Sequence, residues 1–210
     1  MSVNHNQQYF KTTHFFDSVF DLKTLPSDNC QEVAFAGRSN CGKSSVINVI
    51  TQKHKLAIIS KTPGRTKSIN YFQITDQKYL VDLPGYGYAK VATKTKINWE
   101  QLIEKYFVSR KSLTGVVLIM DIRHPFKDFD KQMLLFCSYN NLPTYIVLNK
   151  ADKLSNSQVQ EMLKKVNSEL KNWPLASAQI FSAITLIGLD ELRKKIILWL
   201  EQKAPTNLNG

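Results

Sequence analysis

With 210 residues, 43% hydrophobic and 21% charged, the chain has the length and balance of one soluble globular domain with a full core. No apolar run approaches a membrane span, Met1 to Tyr9 lacks the pattern of a secretory leader, and three cysteines (Cys30, Cys41, Cys137) make neither a metal-type pair nor an even disulfide framework, so a monomer in a reducing cytoplasm is expected. The net charge of +11, from 28 Lys and Arg against 17 Asp and Glu, either favours a polyanionic partner through phosphate neutralisation or serves solubility alone.

Residues 1–30 are polar, then aromatic at Phe15, Phe16 and Phe20, and end in turn signals at Leu25-Pro26-Ser27-Asp28. They read as a loose N-terminal extension that packs its aromatics onto a domain spanning 31–203. The apolar run Val33-Ala34-Phe35-Ala36 is a buried strand, and Gly37-Arg38-Ser39-Asn40-Cys41-Gly42-Lys43-Ser44-Ser45 follows it. An amphipathic helix runs on to about Gln52. A strand feeding a loop of the form G-x-x-x-x-G-K-[ST] that opens a helix is the setting in which this pattern binds phosphates. Gly37 and Gly42 allow a tight turn and close backbone approach, and the loop N–H groups with the helix N-terminus favour an anion. Lys43 is expected to reach the β and γ phosphates, and the Ser44 hydroxyl to ligate Mg²⁺.

Residues 53–68 lack periodicity and hold Pro63-Gly64, which predicts a mobile loop. Lys53, Lys55, Lys61, Arg65 and Lys67 lie in it with no acidic residue between them. Strands at 69–75 and 78–83 flank a turn at Asp76-Gln77, and Pro84-Gly85-Tyr86-Gly87 interrupts regular structure. From there strands and helices alternate: a helix over 97–111, a strand over 115–122 and a helix over 128–139. A strand over 143–148, a helix over 155–172 stopped by Trp173-Pro174, a strand over 179–182 and a helix over 188–203 complete the series. The expected architecture is α/β: a doubly wound, mostly parallel, six-stranded sheet with helices on both faces, trailed by a disordered tail at 204–210.

Ligands of such sheets bind at the carboxyl ends of the strands. The strand ending in Asp82-Leu83-Pro84-Gly85 offers a carboxylate suited to Mg²⁺ through water, and a Gly85 N–H for the γ-phosphate. Thr66, in the loop before it, has a hydroxyl that completes the Mg²⁺ shell while γ-phosphate is present, which makes the loop a switch. The strand ending in Asn149-Lys150-Ala151-Asp152 discriminates bases. The Asp152 carboxylate only accepts, so it pairs with guanine N1–H and the exocyclic amine and is left unpaired by adenine, a mismatch worth roughly 10⁴-fold. The Lys150 stem covers the base face, Asn149 tethers neighbouring loops, and the Ala183 N–H after Phe181 and Ser182 faces guanine O6. The stations together predict a guanine-nucleotide site for GTP and GDP.

Several stretches go beyond these motifs: Glu32 through Asn40, Thr62-Pro63-Gly64-Arg65-Thr66, Asp82 through Lys90, and Asp121-Ile122-Arg123-His124-Pro125 with Asp128 and Asp130. In them, and over most of 33–199, the chain resembles the EngB (YihA/YsxC) family of bacterial ribosome-biogenesis GTPases, in the TrmE-Era-EngA-YihA-septin class. The resemblance implies a GTPase that binds the precursor of the large (50S) ribosomal subunit, rRNA and ribosomal proteins, late in its assembly, with a link to cell division and septation. It adds Gly64 and Arg65 to the nucleotide site. Cys41 and Asn149 depart from the commonest family pattern, and Asn149 is the usual residue in GTPases at large.

Where many GTPases orient the attacking water with glutamine, this sequence has Tyr86, so a slow intrinsic rate is expected, with Lys43, Thr66, Gly85 and Asn40 as the catalytic set. In related GTPases an asparagine at the Asn40 place helps hold K⁺; the alternative is that Asn40 only stabilises the loop turn. Asp121, Arg123, His124, Asp128 and Asp130 read as bracing or partner contact, with Asp128 as an N-cap, rather than as an acid/base cluster. The rival functions are another RNA- or translation-associated GTPase and a nucleotide-gated RNA-binding scaffold with incidental hydrolysis.

Overall fold

The central strands form because their residues are apolar at every position, which suits only a sheet covered on both sides. In the computed structural model, which describes residues 3–57, 68–85 and 93–202, β2 (Gln31–Gly37) and β5 (Leu113–Asp121) are the middle of such a sheet. Val33, Phe35, Val117 and Ile119 point to one face and Ala34, Val116, Leu118 and Met120 to the other, all of them buried. The first face is covered by α2 (Lys43–Thr51), α6 (Leu189–Leu200) and α1 (Val3–Tyr9). The second is covered by α3 (Thr93–Ser109), α4 (Asp128–Tyr139) and α5 (Asn156–Glu169).

Seven strands run in the order β1-β3-β4-β2-β5-β6-β7, where β1 is His14–Val19, β3 Ile69–Thr75, β4 Lys78–Asp82, β6 Thr144–Asn149 and β7 Ala176–Ile180. Every pairing from β4 across to β7 is parallel, while β1 and β4 both pair antiparallel to β3. The doubly wound, mostly parallel reading therefore holds, with one strand more than the six expected. The extra strand is β1, inside the segment read as a loose extension. It pairs with β3 through a bulge between Phe15 and Asp17. Phe15 meets Phe72 edge-on at 6.3 Å and Phe16 meets Tyr79 at 5.2 Å, but Phe20 remains 71% exposed. The aromatic that is fully buried from this end is Phe10, at the end of a helix tied to α6 by the Tyr9 hydroxyl on Glu201 (2.7 Å).

Other boundaries shift by a few residues. Helix α3 starts four residues before the expected 97, and β7 ends at Ile180 rather than 182 because its pairing with β6 runs from Ala176 to Ile180. Asp128 is the first residue of α4 and not its cap; the capping carboxylate is Asp130, which accepts the Lys127 N–H at 3.0 Å. The tail 204–210 and most of the loop 53–68 lie outside the described residues. Cys30, Cys41 and Cys137 are free and buried.

At the end of the sheet away from the phosphate loop, a buried ion pair ties three elements together. Glu32, at the start of β2, has no exposed surface and pairs with Arg110 just past α3. Its carboxylate also accepts from the Tyr106 hydroxyl at 2.7 Å and the Tyr71 hydroxyl at 3.2 Å. Arg110 is satisfied further by the Pro26 carbonyl (2.7 Å) and Asp28 (3.1 Å). Removing one member of a buried pair strands the other charge. Glu32→Ala is expected to lose about 3–5 kcal/mol of stability, and Tyr106→Phe only about 1 kcal/mol, by urea unfolding. Equal losses for the two would show that the charge is not what matters.

Candidate functional site

Five parallel strands of this sheet, β4, β2, β5, β6 and β7, deliver their carboxyl ends to one edge. From β2 the chain enters the loop at Gly37, turns through a Cys41 N–H to Arg38 carbonyl bond of 3.1 Å, and opens α2 with the Val46 N–H on the Gly42 carbonyl. The turn requires left-handed backbone at Asn40 (φ 65°) and Gly42 (φ 98°). At Gly42 only glycine fits, since a Cβ would lie 2.3 Å from the Asn149 amide nitrogen. The Cys41 thiol points into the core, where burial pushes its pKa up to about 11, so that only the backbone of Cys41 faces the site's other strands. Asn40 is exposed at the loop tip.

From β4, Asp82 arrives beside this loop and forms an ion pair with Lys43. Leu83 continues against β2 through its N–H on the Phe35 carbonyl, which brings Pro84 and Gly85 alongside the phosphate loop. A Cβ on Gly85 would lie 3.2 Å from the Ser39 hydroxyl. Asn48, in the second turn of α2, clasps Ala57 through both its backbone groups at 2.8 and 3.0 Å, just before the stretch of sequence that contains Gly64, Arg65 and Thr66. Those three residues, with Lys61, Lys67, Tyr86 and Lys90, lie outside the described residues. Asn48 was not among the residues singled out from sequence; a polar side chain amid Val46-Ile47 and Val49-Ile50 was the signal.

From β6 come Asn149 to Asp152. The Asn149 side chain is buried, donates to the Cys41 carbonyl at 2.9 Å and accepts from the Ala183 N–H at 3.4 Å. Lys150, itself left-handed (φ 68°), donates to the Asn40 carbonyl at 2.6 Å and to Asp121 at 3.0 Å. Asp152 accepts from the Ser182 hydroxyl at 2.7 Å; that hydrogen bond holds its carboxyl below the usual range, against the opposing effect of burial. From β7, Phe181 bridges to β6 by an N–H on Leu148 and a carbonyl that accepts from Ala151, so Ser182 and Ala183 are delivered next to Asp152 and Asn149. An ionised, acceptor-only carboxylate suits a ring that presents two adjacent donors. Among the described residues no cluster of three or more His, Cys, Asp or Glu forms a metal site on its own.

This arrangement has relatives. A family model described as a 50S ribosome-binding GTPase matches residues 32–150. The chain is 49% identical over 197 residues to a probable GTP-binding protein EngB of Thiobacillus denitrificans, a match covering 94% of this chain and 95% of the relative. It is 50% identical over 178 residues to the protein of that name from Xylella fastidiosa, covering 84% and 88%. Among solved structures it superposes on a probable GTP-binding protein engB with a TM-score of 0.66 at 23% identity, covering 82% of this chain and all of that one. It superposes on Aquifex aeolicus Era bound to GDP and AlF4⁻ with a TM-score of 0.64 at 22% identity, covering 83% and 58%. At such identities the structures speak for the fold alone.

Two substitutions probe the geometry. Gly42→Ala meets both a left-handed backbone and the Asn149 amide, and is expected to abolish nucleotide binding in calorimetry. Asp152→Asn, which exchanges an acceptor for a donor, is expected to weaken GDP binding by roughly 10²-fold or more while thermal stability changes little. Undiminished GDP affinity in Asp152→Asn would remove this residue from the base site.

Proposed function

The chain belongs to the EngB family of GTP-binding proteins, and we propose that this P-loop GTPase is a Mg²⁺-dependent nucleotide switch acting in assembly of the large ribosomal subunit, with normal cell division depending on it. The observation that carries the proposal is the joining of the phosphate loop to the base-reading strand by one buried amide, Asn149 on the Cys41 carbonyl. It holds the loop that would take the phosphates and the strand end that would read guanine in one frame.

In this reading the N–H groups of residues 38–45 hold the β and γ phosphates, and Lys43 neutralises them after exchanging its ion pair with Asp82 for phosphate oxygens. Ser44 directly, and Asp82 through water, would hold a Mg²⁺ that arrives with the phosphates. Bound there, Mg²⁺ offsets the negative charge of the reacting phosphate. Asp152 and the Ala183 N–H read guanine, and the Lys150 stem lies against its ring. Thr66, Gly64 and Arg65 join through the loop before β3, and Gly85 through its N–H. Asn40 and K⁺ form the second cation reading, with the side chain exposed at the loop tip.

The basic residues of the stretch after α2, Lys53, Lys55, Lys61, Arg65 and Lys67, favour an RNA-rich partner if the nucleotide orders that stretch. Co-sedimentation with large-subunit particles is expected to be stronger with a non-hydrolysable GTP analogue than with GDP, and to weaken as salt rises. Equal binding with both nucleotides would sink the switch. Calorimetry with Mg²⁺ is expected to give heats for GTP and GDP and none for ATP. Hydrolysis is expected to be faster in KCl than in NaCl at equal ionic strength; indistinguishable rates would leave Asn40 as a loop stabiliser only.

A further inference from the structure

The motif 121–125 has no task in the site so far, and its first residue touches the site directly. Asp121 is the last residue of β5 and lies opposite Asn149 in the parallel pairing with β6. Its carboxylate is gripped on one side by Arg123, whose Nε and Nη2 donate at 2.9 and 2.7 Å to its two oxygens, with the Arg123 backbone N–H adding a third bond at 3.1 Å. On the other side it accepts from the Lys150 ammonium at 3.0 Å, and the same ammonium donates to the Asn40 carbonyl at 2.6 Å. Burial raises the Asp121 carboxyl, but the hydrogen bonds from Arg123 and Lys150 outweigh it and hold the group well below the usual carboxylate range.

We propose that Asp121 is a positioning residue for nucleotide retention, aimed by Arg123 so that it fixes the Lys150 ammonium against the phosphate loop. The ion pair is too exposed, 28% for the lysine and 18% for the aspartate, to add much to fold stability. What it does is orientational. A lysine stem has four rotatable bonds and covers a ring only if its far end is anchored; here two acceptors on different elements hold that end, one on the loop tip and one on β5. The left-handed backbone of Lys150 directs the side chain toward both. Asp121 thereby makes the end of β5 a third support of the guanine end, beside the Ile122 N–H on the Asn149 carbonyl.

The inference rests on the guanine-site reading, and release of a fluorescent GDP analogue from the full chain separates the two. Asp121→Asn is expected to release it about tenfold faster, the size of one lost charge-assisted hydrogen bond, with the urea midpoint unchanged. Lys150→Met is expected to release it at least as fast, and the double variant no faster than Lys150→Met alone, because the two act through one contact. In steady state Asp121→Asn is expected to raise KM for GTP while leaving kcat within twofold. Arg123→Ala, which leaves the charge of Asp121 but frees its orientation, is expected to give about a threefold acceleration. Release at the wild-type rate in Asp121→Asn, or effects of Asp121→Asn and Lys150→Met that multiply in the double variant, would overturn the positioning role and leave the guanine site standing. A wild-type protein that takes up no GDP would overturn the guanine site, and this inference with it.

Discussion

One buried amide holds the nucleotide end of this molecule together. Asn149 offers a donor and an acceptor, and each is used on a different segment, the Cys41 carbonyl of the phosphate loop and the Ala183 N–H after β7. At 2% exposure the side chain has no water to fall back on, so leaving either atom unpaired is costly, and both loops are held to the strand between them. The tie also explains the second glycine of the phosphate loop beyond its backbone angle, since the amide occupies the space a Cβ would need. Lys150 repeats the device one residue on and one residue back, from β6 to the Asn40 carbonyl.

The opposite end of the sheet is braced by different chemistry. There Glu32 and Arg110 are charged and fully enclosed, and their remaining hydrogen-bonding capacity is met by Tyr71, Tyr106 and the Pro26 carbonyl. Such a cluster is weak evidence for net stability but strong evidence for a fixed geometry, because any displacement strands a charge. It fastens β2 to β3 and to the end of α3, and β3 and α3 are the elements next in sequence after the two segments that carry Thr66 and Tyr86. The protein thus has a base fixed by a buried ion pair and a working edge where bonds from side chains to the Cys41 and Asn40 carbonyls tie the loops, with the ion pairs of Asp82 and Asp121 beside them. Carbonyls and amides suit the working edge, where a phosphate must compete for the local cations.

How much was legible beforehand followed the range of the interactions. The phosphate loop is legible from nine consecutive residues, because glycine spacing, the lysine and the flanking apolar runs all act locally. The Asn149–Asp152 stretch stands out in the sequence as a candidate base-reading station because a carboxylate has only one hydrogen-bonding character. Strand β1 was not, because its residues are exposed over most of their length and become a strand only by pairing with β3, some fifty residues away. The limits of β7 were missed for a related reason: Ala176-Ser177-Ala178 has no branched or aromatic residue to mark it, and β6 sets its register. The sequence reads Asp121 as bracing or partner contact but does not pair it with Lys150, which lies just past another strand.

The chemistry of each station was therefore determined by the sequence alone: which residue can turn left-handed, which accepts, which donates, which carries charge. Those properties depend on a side chain and its immediate neighbours. The tertiary structure alone decided which stations meet. The order β4-β2-β5-β6-β7 brings Asp82, Gly37, Asp121, Asn149 and Ser182 to one edge, and an amide 108 residues downstream of Cys41 finds its carbonyl only because of that order. Strand order is settled by the packing of whole faces around a shared core, a sum over many side chains that no short stretch contains.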